Sequence, residues 1–401
     1  MYVLTYRAFR ASHLCQDVQT VCRNSGKCDQ FTDVRDFLIV GGGVAGACAG
    51  FFLAESGTVT LLEAERVPGH HSTGRSAALF SEYFGNPPVR ALTTASRAFL
   101  AAPPPGFAST PLLTPGGVLA LCPPGGEGLF DEVLAEGRRA PAPAVEIDAA
   151  EALTHCPVLR PDRIGRAMLK PGAMDIDVDA LHQGFLRGIR ARGGQVVTSA
   201  RVRALSRTGG VWRAVTDAGE HAAPTVVNAA GAWADEVAGL AGAGPVGLRP
   251  LRRTAFLVDP PAGTDAASWP MVTDVADTYY FKPESGRLLV SPADATPVPP
   301  CDARPDDLDV AVGVRRVEEA TTLTIRSVRH AWAGLRSVVA DGTPVIGPDP
   351  GAPGFVWLAA LGGHGVQTSP AAGRIAAAAA VSGAADPAYA PGRLWNDLER
   401  L

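Results

Sequence analysis

An α/β fold, wound on a parallel sheet and interleaved with an α+β domain built on an antiparallel sheet, is the class that three observations predict for this 401-residue chain. The first is the stretch 37–63, FLIVGGGVAGACAGFFLAESGTVTLLE, which reads as apolar strand, glycine turn, alanine-rich helix, second strand and terminal acid. The second is that strand and helix patterns return far downstream, at 225–242 and again at 355–379. The third is that the intervening stretches carry strand-like runs such as RRTAFLVDP, TYYFKP and RLLVSP, separated by Pro, Gly and Asp turns.

The 37–63 stretch is a βαβ unit of the Rossmann-like, dinucleotide-binding kind. Gly41 permits the tight turn, Gly43 lets a pyrophosphate approach the helix N-terminus, and Gly46 brings helix and strand close together. Glu63 falls 22 residues after Gly41, where a carboxylate accepts hydrogen bonds from ribose hydroxyls. The following loop, AERVPGHHSTGRSAALFSEYFG, favours FAD over NAD. An NAD enzyme would continue into another βα repeat, whereas Ser72, Thr73, Gly74, Arg75 and Ser76 are small donors suited to a second phosphate and a flavin. A buried strand and glycine turn in TVVNAAGAWADEVAGLAG, and the Gly362-Gly363-His364-Gly365 turn opening an alanine-rich helix, add distant walls to the same site. Amides at that helix start would stabilise negative charge on a reduced ring.

These patterns assign 34–113, 171–245 and 334–401 to an FAD-binding domain and 114–170 and 246–333 to a substrate domain. Residues 1–33 read as a disordered N-terminal extension. They hold Cys15, Cys22 and Cys28 without a CxxC pair, so no metal is expected there. Cys48, Cys122, Cys156 and Cys301 are scattered like reduced thiols, which points to the cytoplasm, with peripheral contact at the inner face of the membrane left open. With 46% hydrophobic and 19% charged residues the chain can bury two cores. A net charge of -4 without a basic stripe argues against nucleic acid, and no apolar run approaches the ~20 residues of a membrane helix.

The glycine motif, HSTGRSAA, VNAAGAWAD, LRRTAF, TYYFKP, TLTIRSVRHAWAGLRS and GGHGVQTS follow one another in an order that resembles the D-amino-acid oxidase/dehydrogenase superfamily of flavoproteins. The resemblance runs from about Asp36 to about Gly373, and bacterial D-arginine dehydrogenase is a member whose motifs it resembles. It implies noncovalent FAD, a substrate domain standing as a wall over the flavin, and oxidative deamination of D-amino acids. In that reaction hydride leaves the α-carbon for flavin N5, and the imino acid is hydrolysed to a 2-keto acid and ammonia. A quinone, an electron-transfer protein or O2 would take the electrons. It also implies further cofactor contacts at Ala45, Ala64, Ala77, Ala78, Leu79 and Val202, and at Gly231, Gly363, Val366 and Gln367. Some relatives tether flavin through histidine, which raises His70 and His71.

Arg336 is the expected clamp for the substrate carboxylate, because a guanidinium offers two parallel hydrogen bonds. Arg253, Tyr280 and Gly363 support it. Two departures from the D-arginine dehydrogenase pattern matter. Leu79 and Phe84 stand where that relative has histidine and tyrosine, and Val118 stands where it has a glutamate that meets the substrate guanidinium. An apolar side-chain pocket is therefore expected, with Glu82 as the nearest compensating acid. Glycine- or sarcosine-type amine oxidation, 2-hydroxy-acid oxidation and a non-catalytic flavin-binding role stay as alternatives.

Overall fold

The computed structural model describes residues 34–398; the expectations for 1–33 lie outside them. Phe37–Val40 and Val59–Leu62 are buried at all four positions, as parallel strands covered on both faces must be. They form the centre of a six-stranded sheet. Its order is Val345–Pro348, Phe355–Ala359, Thr225–Asn228, Phe37–Val40, Val59–Leu62, Gln195–Val197, and only Val345–Pro348 runs antiparallel to its neighbour. One side is covered by the helices Val44–Leu53, Val178–Ala191 and Gly365–Ser382, around an aromatic cluster of Phe51, Phe52, Phe99, Phe107 and Phe185. Val44–Leu53 and Gly365–Ser382 press together so closely that a Cβ on Gly373 would stand 2.6 Å from Cys48 Sγ.

The two substrate-domain segments meet as one nine-stranded sheet, antiparallel except at a single junction. There Met271–Asp274 pairs in parallel with Val118–Cys122, joining strands from either side of the FAD-binding segments. Two details depart from the expected domain division. The boundary at 333/334 falls inside the strand His330–Val338, which pairs along its length with Arg249–Leu257, so Arg336 rides on the substrate sheet. Within 171–245, Val202–Thr208, Val211–Thr216 and Gly219–Ala223 form an antiparallel meander rather than βα repeats.

Strand alternation gives this large sheet two unlike faces. Phe256, Phe281, Leu288, Val290, Val272 and Leu119 enter a buried apolar core on one side. Cross-strand partners share a face, and the registers Leu251 with Arg336, Arg253 with Gly334, and Tyr280 with Thr273 put Arg253, Tyr280 and Arg336 together on the other. That second face looks towards the glycine-rich turns.

Candidate active site

The Gly41–Gly46 turn is closed by contacts that admit no side chain. Gly41 has φ +108°, and a Cβ there would lie 2.3 Å from the Ala229 carbonyl oxygen; a Cβ on Gly46 would lie 1.9 Å from the Gly41 carbonyl oxygen. Glu63 pins the turn from the second strand: its Oε2 accepts from Gly42 N at 2.8 Å and its Oε1 from Glu65 N at 2.8 Å. Thr73 Oγ1 accepts from Val44 N at 3.0 Å, tying the serine-threonine loop to the helix start. His182 was not singled out in the sequence. Buried on its helix, it lies 2.8 Å by Nε2 from the Gly42 carbonyl, and burial holds its pKa below the ordinary value. A lone histidine in an amphipathic helix carries no local signal of that role.

A cavity of about 440 Å³ opens against this turn. Among the expected cofactor residues, Gly41, Gly43, Ala45, Glu63 and Ala64 line it from the βαβ unit. Ser72, Thr73, Val202, Gly231, Gly362 and Gly365 line it from elsewhere. An adjoining cavity of about 100 Å³ shares Val44, Ser72, Thr73 and Leu335 with it, and adds Arg75, Ser76, Ala77, Gly363 and Val366. Gly46, Gly74, Ala78, Leu79, His364 and Gln367 line neither cavity and act through packing or hydrogen bonds. Gly74 N bonds the Gly69 carbonyl, Ala78 N bonds Ser76 Oγ, and buried Gln367 links Ser81, Thr93 and His364. A cavity lined by a glycine turn, a helix N-terminus and a buried carboxylate offers the donor and acceptor set that a dinucleotide needs.

Arg75 is used as a clip as well as a wall. It donates to the Ala303 and Ala333 carbonyls at 2.9 and 3.0 Å and pairs with Asp302, so the loop is anchored to the substrate sheet. His71 Nε2 lies 3.2 Å from Glu65 Oε1, and His70 Nε2 lies 3.9 Å from Asp302. His70, His71 and Asp302 are the one group among the described residues close enough to share a metal ion, and the Arg75 guanidinium already holds Asp302.

The smaller cavity contains the expected substrate clamp. Arg336, Arg253, Tyr280 and Gly363 all line it. Gly363 has no side chain because one would stand 2.9 Å from the Arg336 guanidinium carbon. Arg336 makes no hydrogen bond or ion pair among the described residues. Arg253 keeps buried Nε and Nη1 atoms without hydrogen-bond partners, and Asp277 reaches Nη1 only at 4.0 Å. Burial and the neighbouring Arg336 charge hold the Arg253 pKa below its ordinary value. The adjacent Arg252 points to the opposite face and pairs with Asp309 at 2.8 Å, which is the period of two at work. His364 precedes the uncapped N-terminus of Gly365–Ser382; burial, then Arg336, push its pKa down to about 4, so it is neutral.

Phe84 and Val118 do not line either cavity. Val118 is fully buried and stands opposite Lys170, whose ammonium lies 4.7 Å from the centre of the Phe84 ring. Glu82 is not a free counter-ion: it is buried and ion-paired with Arg97. The residues missed by sequence reasoning, Lys170 and Asp277, come from strand pairing and a turn with φ +50°.

The profile of the FAD dependent oxidoreductase family (DAO) matches residues 36–379. The chain is 30% identical over 176 residues to FAD-dependent oxidoreductase domain-containing protein 1 of Bos taurus, covering 39% of this chain and 36% of that protein. It is 26% identical over 208 residues to the uncharacterized oxidoreductase YurR of Bacillus subtilis (strain 168), covering 50% and 53%. The chain thus matches between about a third and about half of these relatives' length. Glycine oxidase from Geobacillus kaustophilus superposes with a TM-score of 0.78 at 24% identity, over 90% of this chain and 98% of that one. L-proline dehydrogenase from P. horikoshii superposes with 0.79 at 19%, over 92% and 99%. At these identities the structural likeness establishes the fold.

Proposed function

The chain belongs to the DAO family of FAD-dependent oxidoreductases, and from that premise we propose that it oxidises the α-carbon of D-amino acids with noncovalently held FAD. When bound, FAD supplies the two-electron acceptor. The chain's own residues do the binding and orienting. The observation that carries the reading is the pair of cations beside Tyr280. Among the described residues Arg336 has no hydrogen-bond or ion-pair partner and Arg253 retains two unpartnered buried nitrogens, in a cavity adjoining the larger one. Such a site receives a carboxylate and holds its α-carbon at one angle.

Noncovalent attachment is supported by the engagement of His70 and His71 with Asp302 and Glu65. The D configuration and the kinship with D-arginine dehydrogenase rest on the motifs. Glu82 is consumed by Arg97 and no carboxylate among the described residues lines the smaller cavity, so uncharged side chains should outperform D-arginine and D-lysine. The same clamp would serve glycine, sarcosine or a 2-hydroxy acid. Anaerobic titration of the flavin with D-amino acids, glycine, sarcosine and 2-hydroxy acids tests the proposal. Bleaching by D-amino acids supports it, and bleaching by hydroxy acids alone overturns it.

A further inference from the structure

The strand that carries Arg336 lies at the edge of its sheet, and its outer edge is held by the loops that line the larger cavity. His330–Val338 pairs with Arg249–Leu257 on one side, and among the described residues no strand pairs with the other. Alternate carbonyls of an antiparallel strand face away from its partner and need donors from elsewhere. Here Ala333 O accepts from Arg75 Nη1 at 3.0 Å, Leu335 O from Ser72 Oγ at 2.7 Å and Ser337 O from Gly362 N at 3.0 Å. Trp332 Nε1 donates in return to the Arg75 carbonyl at 3.0 Å. A Cβ on Gly334 would meet Arg75 Cβ at 3.6 Å and Ser72 Cα at 3.9 Å, so loop and strand lie in direct contact.

Arg336 therefore sits between Leu335 and Ser337, whose carbonyls are both fixed from the cofactor side. Ser72 and Gly362, which fix them, each line the larger cavity as well as the smaller one. The Leu335 carbonyl carbon is bonded to the Arg336 nitrogen, so the Ser72 bond sets the plane of the peptide from which Arg336 departs. A serine hydroxyl has one proton to give, and a carbonyl can only accept it. While that bond stands, Ser72 offers the cavity lone pairs alone and cannot donate to a phosphate, against the role its residue type suggests. A ligand that fills the larger cavity meets the same Ser72 and Gly362 that hold the strand of Arg336.

We propose that Ser72 is a positioning residue for the substrate clamp, and that through the Leu335 carbonyl it makes FAD and a carboxylate ligand bind cooperatively. This rests on the reading of Arg336 as the carboxylate clamp. Equilibrium dialysis of the holoenzyme gives the FAD Kd with and without propionate, a carboxylate that carries no amine to oxidise. Perturbation of the flavin spectrum gives the propionate Kd. In wild type, saturating propionate should tighten FAD binding by about fivefold or more. Ser72→Ala should bring that factor below about twofold, and Ser72→Thr, which keeps a hydroxyl, should restore it. A hydroxyl that served FAD directly, or only supported the fold, would change FAD affinity equally with and without propionate. The factor would then survive in Ser72→Ala; that result, or no tightening in wild type, overturns the inference. Arg336→Leu separates this failure from that of the underlying reading. Propionate binding lost in Arg336→Leu, with no cooperativity in wild type, sinks the role of Ser72 and leaves the clamp standing. Propionate binding as tight in Arg336→Leu as in wild type overturns the clamp, and this inference with it.

Discussion

Replacing Arg336 by leucine should separate function from stability in opposite directions. Arg336 has no hydrogen-bond or ion-pair partner among the described residues and stands beside Arg253, whose pKa is held down by burial and then by the Arg336 charge. Leucine therefore removes no hydrogen bond or ion pair of the guanidinium and relieves a like-charge repulsion, so the substrate-free protein should unfold at the same or a slightly higher temperature. The substrate loses one arm of its clamp. Truncating one partner of a buried, hydrogen-bonded charge pair costs about 2–5 kcal/mol, which corresponds to a fall in kcat/KM of about 30-fold to several thousand-fold. The low end applies if Arg253 takes over the carboxylate through its two unpartnered nitrogens. The high end applies if the α-carbon also loses its angle to the cofactor. Arg336→Lys should recover little, since an ammonium cannot make two parallel bonds. The assay is anaerobic stopped-flow reduction of the bound flavin over a substrate series, with flavin content and thermal unfolding measured on the same preparation. A variant that keeps its FAD and reduces within about threefold of wild type, far short of the loss expected for a buried charge pair, would refute the placement of the clamp.

Acid precipitation of the purified holoprotein should leave FAD in the supernatant; colour locked in the pellet would contradict noncovalent attachment. Glu63→Gln should weaken FAD binding by about 5- to 150-fold, because an amide in place of the carboxylate turns an N–H towards Gly42 or Glu65 and leaves one backbone donor unsatisfied; equilibrium dialysis of the cofactor measures it, and an unchanged Kd would remove Glu63 from the reading. His364 titrates at about 4 when folded against an ordinary 6.5. The unfolded chain therefore binds this proton first, and its contribution to stability is fully present above pH 6.5 and is lost as pH falls from 6.5 to 4, by about 3 kcal/mol at most. Denaturant unfolding across that range should show a shallower acid decline in His364→Gln; identical slopes would show that His364 is not buried neutral in solution.

The sequence by itself carried the dinucleotide half of this protein. A strand buried on both faces, a turn that excludes Cβ atoms at Gly41 and Gly46, and an acid one βαβ unit further on are encoded within 27 consecutive residues, so local periodicity and steric necessity suffice to read them. The antiparallel alternation of LRRTAF and TYYFKP was legible for the same reason, and the period of two separates Arg253 from Arg252 once a face is known. Which face that is, and what else lies on it, came only from tertiary structure. Strand pairing placed Lys170 opposite Val118, from a segment 52 residues away, and joined that pair through Met271 to Tyr280. Folding also gave Glu82 to Arg97 and carried the strand of Arg336 past the expected domain boundary. Register between distant strands is set by the packing of the whole sheet and leaves no short-range trace. Val118 and Phe84, read from one segment at a time, were therefore expected at a pocket that the fold builds from other residues, and they lie against Lys170 instead.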